Sequence, residues 1–237
     1  RARADRGELK FEFTPTHTMA MAVFRNGKWT EPQCMPAGSM ESGPLADRYG
    51  QDIFGGSRAV RLKDGRVALF RPDVHAKRFN DNAEMELMPH LTDEQMIAVY
   101  EKVVKANVAY IGKSGEQSLY LAPGLRATGN QLGVHPNIEY TFTCLGVPSG
   151  NIFSKPSKFR TETKSHRVAK GEYGQVKHAG HYSPTFGVKK AAKSKGYDDV
   201  IFLDESNEEL RESSSSNVFF VTCDGILVTP NLSGEIL

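Results

Sequence analysis

The chain has 237 residues, 39% of them hydrophobic and 24% charged, with a formal net charge of +2. That length can bury a core in one large domain or two small ones, and the composition is that of a globular chain. Lys and Arg are scattered rather than striped, which gives nucleic acid no electrostatic footprint, and no apolar run approaches the roughly 18–20 residues of a spanning helix, which excludes membrane insertion.

The amino end, Arg1-Ala-Arg-Ala-Asp-Arg-Gly7, has no initiator Met. It reads either as the trimmed end of an organelle-targeted precursor or as a plain boundary, so the expected compartment is the mitochondrial matrix or the cytoplasm. Residues 18–24 form a strand closed by the Asn26-Gly27 hairpin turn. A second hairpin joins residues 58–63 to 66–70 around Asp64-Gly65. Pro72 and Asp73 then open a helix through Ala76, Phe79, Ala83 and Leu87 to Pro89. Thr92-Asp-Glu-Gln95 is a capping box, and the helix behind it carries the stripe Met96, Ile97, Tyr100, Val103, Val104 and Val108. Strands follow at 118–122 and 139–147.

The Pro/Gly/Ser-rich run from Pro148 to Pro156 has the composition of a linker. Beyond it a helix spans roughly residues 184–195 and stops at Gly196, with strands at 200–203, 218–221 and 226–229. Early hairpins without regular βαβ alternation predict an α+β layout for the first part. The predicted division is an extension at 1–9, a small α/β domain at 10–147, a linker at 148–158 and the start of a larger domain at 159–237. Cys34, Cys144 and Cys223 are odd in number and far apart, which points to a reducing compartment rather than a disulfide framework.

No P-loop, G-x-G-x-x-G or G-x-S-x-G is present. The tetraserine 213–216 has the composition of a mobile loop. His178 and His181 lie three apart, but no further ligand stands near them in sequence, so no metal site is expected. The informative stretch is Gly171-Glu-Tyr-Gly-Gln-Val-Lys177-His-Ala-Gly-His-Tyr182, followed by Glu212 ahead of an apolar run. A lysine among glycines, a tyrosine five residues on and a later acid are the parts that pyridoxal 5'-phosphate (PLP) chemistry needs. The amine joins the cofactor aldehyde, a phenol bonds the ring hydroxyl, and a carboxylate keeps the pyridine nitrogen protonated.

Read in order, the motifs resemble the branched-chain amino-acid aminotransferases, a subgroup of fold-type IV PLP enzymes. Tyr49-Gly-Gln-Asp-Ile-Phe54-Gly-Gly56 is similar to Y-G-x-x-x-F-E-G, and Leu69-Phe-Arg71-Pro72 with Arg78-Phe79 to L-F-R-P-x-x-x-x-x-R-F. Ser118-Leu-Tyr120-Leu-Ala-Pro123 resembles S-L-Y-[IL]-R-P. Gly174-x-x-Lys177-x-x-Gly180-x-Tyr182 resembles the lysine loop, Glu212-x4-Asn217-x-Phe219 the strand facing the cofactor nitrogen, and residues 228–237 the lead-in to a phosphate turn. The resemblance implies a two-domain fold mixing α+β and α/β, with PLP as cofactor. Lys177 would carry it and shuttle the proton, Tyr182 would bond the ring oxygen, Glu212 would pair with the ring nitrogen, and Arg71 would hold the phosphate. Tyr49 and Phe54 would line the side-chain pocket, and Tyr120 would reach the substrate carboxylate. Leu, Ile or Val and 2-oxoglutarate would be the substrates, with a homodimer or partner chain completing the site.

Five departures qualify that expectation. Ala122 stands where the family has an arginine, and Arg126 lies more than about 10 Å farther along the strand. Gly55 replaces the acid of F-E-G. Glu172-Tyr173 replace a Gly-Thr pair, and His181 replaces an Asn. The chain also ends before the family's phosphate turn, so it reads as C-terminally incomplete. Two other readings stay open: a catalytically impaired structural subunit, and a different fold-type IV enzyme such as a D-amino-acid transaminase or aminodeoxychorismate lyase.

Overall fold

The Asn26-Gly27 turn takes left-handed angles at both residues, φ 53 and 74, the combination whose twist suits a two-residue hairpin. It joins β1 (Thr18–Arg25) to β2 (Lys28–Trp29). This computed structural model describes residues 8–237 apart from 11, 15, 39, 47, 113–116, 152–154, 169, 170 and 233. The amino end at 1–7 and the middle of the linker therefore lie outside the described residues. The chain divides into two compact units, Arg1–Ser154 and Lys155–Leu237.

In the first unit β1 is followed by β3 (Gln33–Pro36), β4 (Asp52–Phe54), β5 (Ser57–Arg61) and β6 (Val67–Phe70). Two helices, α1 (Pro72–Met85) and α2 (Asp93–Asn107), precede the long strands β7 (Ser118–Ala127) and β8 (Tyr140–Ser149). The eight strands form one antiparallel sheet in the order β2-β1-β8-β7-β5-β6, with β3 on β1 and β4 on β7. β8 thus takes in Pro148 and Ser149, which composition alone places in the linker, because they pair with Leu119 and Ser118.

The core lies between the sheet and the helices. Ala76, Phe79 and Ala83 of α1 and Met96, Val99, Tyr100 and Val103 of α2 are buried with Ala20, Ile53, Leu119, Leu121, Leu125 and Phe142. Phe79 meets Phe142 edge-on at 5.9 Å, a favoured aromatic geometry. Each such side chain contributes about 1.5–3 kcal/mol through burial.

Helix ends depart from the sequence reading for identifiable reasons. α1 stops at Met85 because Leu87 turns left-handed, with φ 54. Its amide donates to the Glu84 carbonyl, and the Met88 amide donates to that of Ala83. That is a Schellman closure, with leucine where glycine is usual. The capping box at Thr92 is formed, with Thr92 and Gln95 bonding each other's amides. At the far end Val108 is exposed, and Asn107 is buried instead, donating to the Thr18 and Val103 carbonyls.

The second unit has β9 (Phe159–Glu162), α3 (Thr185–Lys193), β10 (Asp199–Leu203) and β11 (Leu210–Ser213), then the small hairpin β12 (Phe220–Val221) and β13 (Leu227–Val228). β9 and β10 are parallel, and β11 runs antiparallel to β10. The strand expected at 218–221 shrinks to two residues. The Val218 carbonyl accepts from the Thr229 hydroxyl instead of joining the ladder. No described helix is long and apolar enough to cross a membrane, and none of the three cysteines is in a disulfide.

Candidate active site

Lys177 sits between two short 3-10 turns, Glu172–Gln175 and Ala179–His181. The turns fold the chain back so that Lys177 Nζ donates to Tyr182 Oη at 2.7 Å. Gly174 is dictated by close approach. A Cβ there would lie 2.4 Å from the Glu235 backbone, so only glycine lets the turn pack against the carboxyl-terminal segment.

Glu212 lies within β11, a strand that the sequence reading did not foresee, and its side chain is buried. Oε1 forms an ion pair with Arg167 Nη2 and accepts the Leu237 amide at 3.1 Å. Among the described residues Oε2 receives only a long contact, 3.4 Å, from Asn217 Nδ2. Burial pushes the Glu212 carboxyl above the ordinary carboxylate range. Arg167, the Leu237 amide and the Lys177 ammonium pull it down without prevailing. A buried acid held on one oxygen, with its ionised form disfavoured, is a setting that a ring N–H⁺ on the other oxygen would relieve. Arg167 also donates to the Gly174 carbonyl at 2.9 Å and the Glu235 carbonyl at 3.4 Å. One guanidinium thus ties the lysine turn, the acid and the carboxyl-terminal segment together.

The tetraserine is not the loop its composition suggests. Ser213 and Ser214 are buried. Ser213 Oγ bonds Ser216 Oγ at 2.7 Å and accepts the Ser216 amide at 2.9 Å, which closes the turn on itself. His178 and His181 stack edge-on at 5.2 Å. Among the described residues no group of three or more His, Cys, Asp or Glu is placed to hold a metal ion.

Lys177, Tyr182 and Glu212 are therefore brought together within Lys155–Leu237, while Tyr49, Phe54, Arg71 and Tyr120 belong to Arg1–Ser154. There, strand alternation puts Tyr120, Ala122, Gly124 and Arg126 on one face of β7, with Phe54 opposite Gly124 and Asp52 opposite Arg126. Tyr120 Oη donates to the Gly55 carbonyl at 3.2 Å. A Cβ at Gly56 would meet that hydroxyl at 2.3 Å, so glycine is needed there. The space a side chain at Gly55 would enter is taken by Pro123 and Phe79, 2.9 and 3.0 Å from a Cβ, which accounts for the missing acid. Arg126 is bound to Asp52 at 3.1 Å and does not stand in for the absent arginine at Ala122. Tyr49 Oη accepts the Gly133 amide at 3.1 Å. Arg71 is exposed at the N-cap of α1 with left-handed angles, φ 42 and ψ 55.

Sequence reasoning missed Arg167, Lys189 and Asp199. Each is a charged residue that periodicity reads as surface. The available signal was a lone Arg ten residues ahead of the lysine, too weak to act on.

The family model "Amino-transferase class IV" matches residues 59–237. The chain belongs to the class IV aminotransferases. It is 38% identical to "Branched-chain-amino-acid aminotransferase 5, chloroplastic" of Arabidopsis thaliana over 243 residues, covering 100% of this chain and 58% of that one. It is 35% identical to "Branched-chain-amino-acid transaminase 1" of Bacillus subtilis (strain 168), covering 88% and 60%. Among solved structures, the T.th. branched-chain amino acid aminotransferase, complexed with N-(5'-phosphopyridoxyl)-L-glutamate, matches with TM-score 0.70 and 25% identity over 92% of this chain and 69% of that one. The fold is that of fold-type IV aminotransferases, and the chain spans 58 and 60% of the length of these two curated relatives.

Proposed function

We propose that the protein is part of a PLP-dependent aminotransferase that moves amino groups between branched-chain amino acids and 2-oxoglutarate. The observation that carries this reading is the contact of Lys177 Nζ with Tyr182 Oη at 2.7 Å beside a buried Glu212. PLP, when bound, supplies an aldehyde carbon for an amine to attack and a ring that withdraws electrons from it. The donor set fits such a group: an amine, a phenol and a buried carboxylate with one weakly engaged oxygen.

In this reading Tyr182 orients the Lys177 amine, and Lys177 accepts and returns the proton of the substrate α-carbon. Glu212 holds a proton at the ring nitrogen through Oε2, while Arg167 fixes Oε1. Arg71 is assigned to the cofactor phosphate, where a planar fork of donors suits an anion. Tyr49 and Phe54 are assigned to the substrate side chain and Tyr120 to its carboxylate. A homodimer or partner chain completing the site belongs to the same proposal, as does a mitochondrial or cytoplasmic setting.

The competing reading, a structural subunit with impaired chemistry, draws on Ala122 and the engagement of Arg126 with Asp52. Absorbance separates the two. Adding PLP to the chain should produce a near-ultraviolet or visible band that borohydride bleaches and fixes to Lys177, and leucine should discharge it. No reducible band at any PLP concentration would favour the structural subunit. Ala122→Arg should raise use of 2-oxoglutarate by about tenfold or more, the worth of one charge-assisted bond. An unchanged co-substrate preference would remove 2-oxoglutarate from the proposal.

A further inference from the structure

The turn that follows Glu212 uses its serines in two different ways. Ser213 Oγ stays inside the turn, bonding Ser216 Oγ and accepting the amides of Ser215 and Ser216 at 3.3 and 2.9 Å. Ser214 Oγ leaves it and donates to Asp199 Oδ2 at 2.8 Å. Asp199 is buried at the start of β10, and its other oxygen accepts the Val200 amide at 2.8 Å. Lys189 of α3 closes a triangle, reaching Asp199 Oδ2 at 3.1 Å and Ser214 Oγ at 3.0 Å.

An ion pair alone would satisfy Asp199. The hydroxyl adds a link between two chemical groups that are distant in sequence. α3 begins three residues after Tyr182, whose carbonyl accepts both the Thr185 hydroxyl at 2.7 Å and the Thr185 amide at 3.0 Å. Ala192 of the same helix is buried against Val200 and Phe202. A continuous path of short bonds and one helix therefore runs from Tyr182 through α3 to Lys189, across to Ser214 and along the chain to Glu212.

We propose that Lys189 and Asp199 are positioning residues that, through Ser214, hold the Glu212 carboxylate in register with the Lys177–Tyr182 pair. The inference rests on the aminotransferase reading above, which it deepens. Neither residue touches the reacting atoms. Their effect is to fix the direction in which Glu212 leaves its strand, and misplacement by about 1 Å at such a group can cost on the order of 10²-fold in rate.

Ser214→Ala is the cleanest variant, because it keeps the Lys189–Asp199 ion pair and releases only the turn. In the cofactor-free chain, amide hydrogen exchange at residues 212–217 should rise about tenfold, the worth of one net hydrogen bond, with β9 and β10 unchanged. In the PLP-loaded protein, kcat for leucine should fall about tenfold or more with KM little changed, and the pH midpoint of the cofactor band should move. Lys189→Met should reproduce both effects, and Lys189→Arg, which still reaches both oxygens, should restore them. Unchanged exchange at 212–217 in Ser214→Ala and Lys189→Met would overturn the clamp. Faster exchange with kcat and band midpoint unmoved would show a merely structural link and also overturn it. If the unsubstituted chain forms no band, the functional reading fails by itself, while the exchange result still decides whether the clamp exists.

Discussion

The two units differ in whether they bury charge. In Arg1–Ser154 a large aliphatic and aromatic core is joined by neutral polar side chains such as Asn80 and Asn107, and among the described residues none of its buried side chains is Asp, Glu, Lys or Arg. In Lys155–Leu237 the apolar cluster is small, Ala192, Val200 and Phe202 with Val188 against them, while Glu162, Arg167, Asp199 and Glu212 are buried. Burying a charge costs several kcal/mol unless it is paired and bonded. The difference teaches where stability is made and where it is given up. The first unit is held by packing, and the second holds paired charges in fixed positions.

The sharpest way to break this comparison is at Lys177. Lys177→Ala should abolish the borohydride-reducible band entirely while the circular dichroism of the chain stays the same, since that position supplies an amine and not packing. A persisting reducible band would mean that another lysine carries the cofactor.

Next come two substitutions of similar size and different character. Phe142→Ala should cost about 3–5 kcal/mol in urea unfolding, through the cavity it leaves beside Phe79. Arg167→Met should also cost about 3–5 kcal/mol, because Glu212 then stays buried without its cation. The two should differ in rescue. Adding Glu212→Gln to Arg167→Met should recover much of the loss, whereas no polar change repairs Phe142→Ala. Failure of that rescue would show that Arg167 acts by packing.

A smaller effect separates the units by pH. Burial, then His178 and Arg167, hold the half-buried His181 imidazole below its ordinary value. A histidine depressed in the folded state adds stability that is present above about pH 6.5 and is lost as pH falls through the folded value. His181→Asn should flatten that acid limb of the stability curve. His75 in the first unit is shifted the same way, by burial and then by Arg78 and Arg71, so it should contribute to the same limb. An acid limb of unchanged slope in the double variant His75→Asn/His181→Asn would exclude both. The smallest change is Thr92→Ala, which removes the α2 capping box and should cost about 1 kcal/mol, read as a shift in urea midpoint without a change in slope.

Local chemistry made much of this legible in advance. Asn26-Gly27, the Thr92 box and the Gly196 stop, with φ 83, each act within a few residues, so sequence suffices to place them. Lys177 and Tyr182 were legible through the family resemblance rather than through spacing, and two short turns bring them together. What stayed hidden depends on partners far along the chain. β11 carries Leu-Arg-Glu-Ser, a poor strand by propensity, and exists because β10 offers it a ladder. Ser213 and Ser214 look like loop residues until Asp199 and Lys189 are placed beside them. Leu87 ends a helix in a conformation its side chain disfavours, because burying Met88 fixes the exit.

The parallel pairing of β9 with β10 has a consequence in time. The whole lysine segment and α3 lie in the crossover between those two strands. Parallel strands cannot pair until such a connection has closed, and non-local closure of this kind is slow compared with hairpin formation. Hairpins of the first unit such as β1–β2 and β5–β6 are local and can order early, although β1 joins β8 only by pairing Met19 with Leu145. Lys177 and Tyr182 meet through local turns, but Glu212 of β11 joins them only once the crossover has shut, so the three are assembled later than those hairpins.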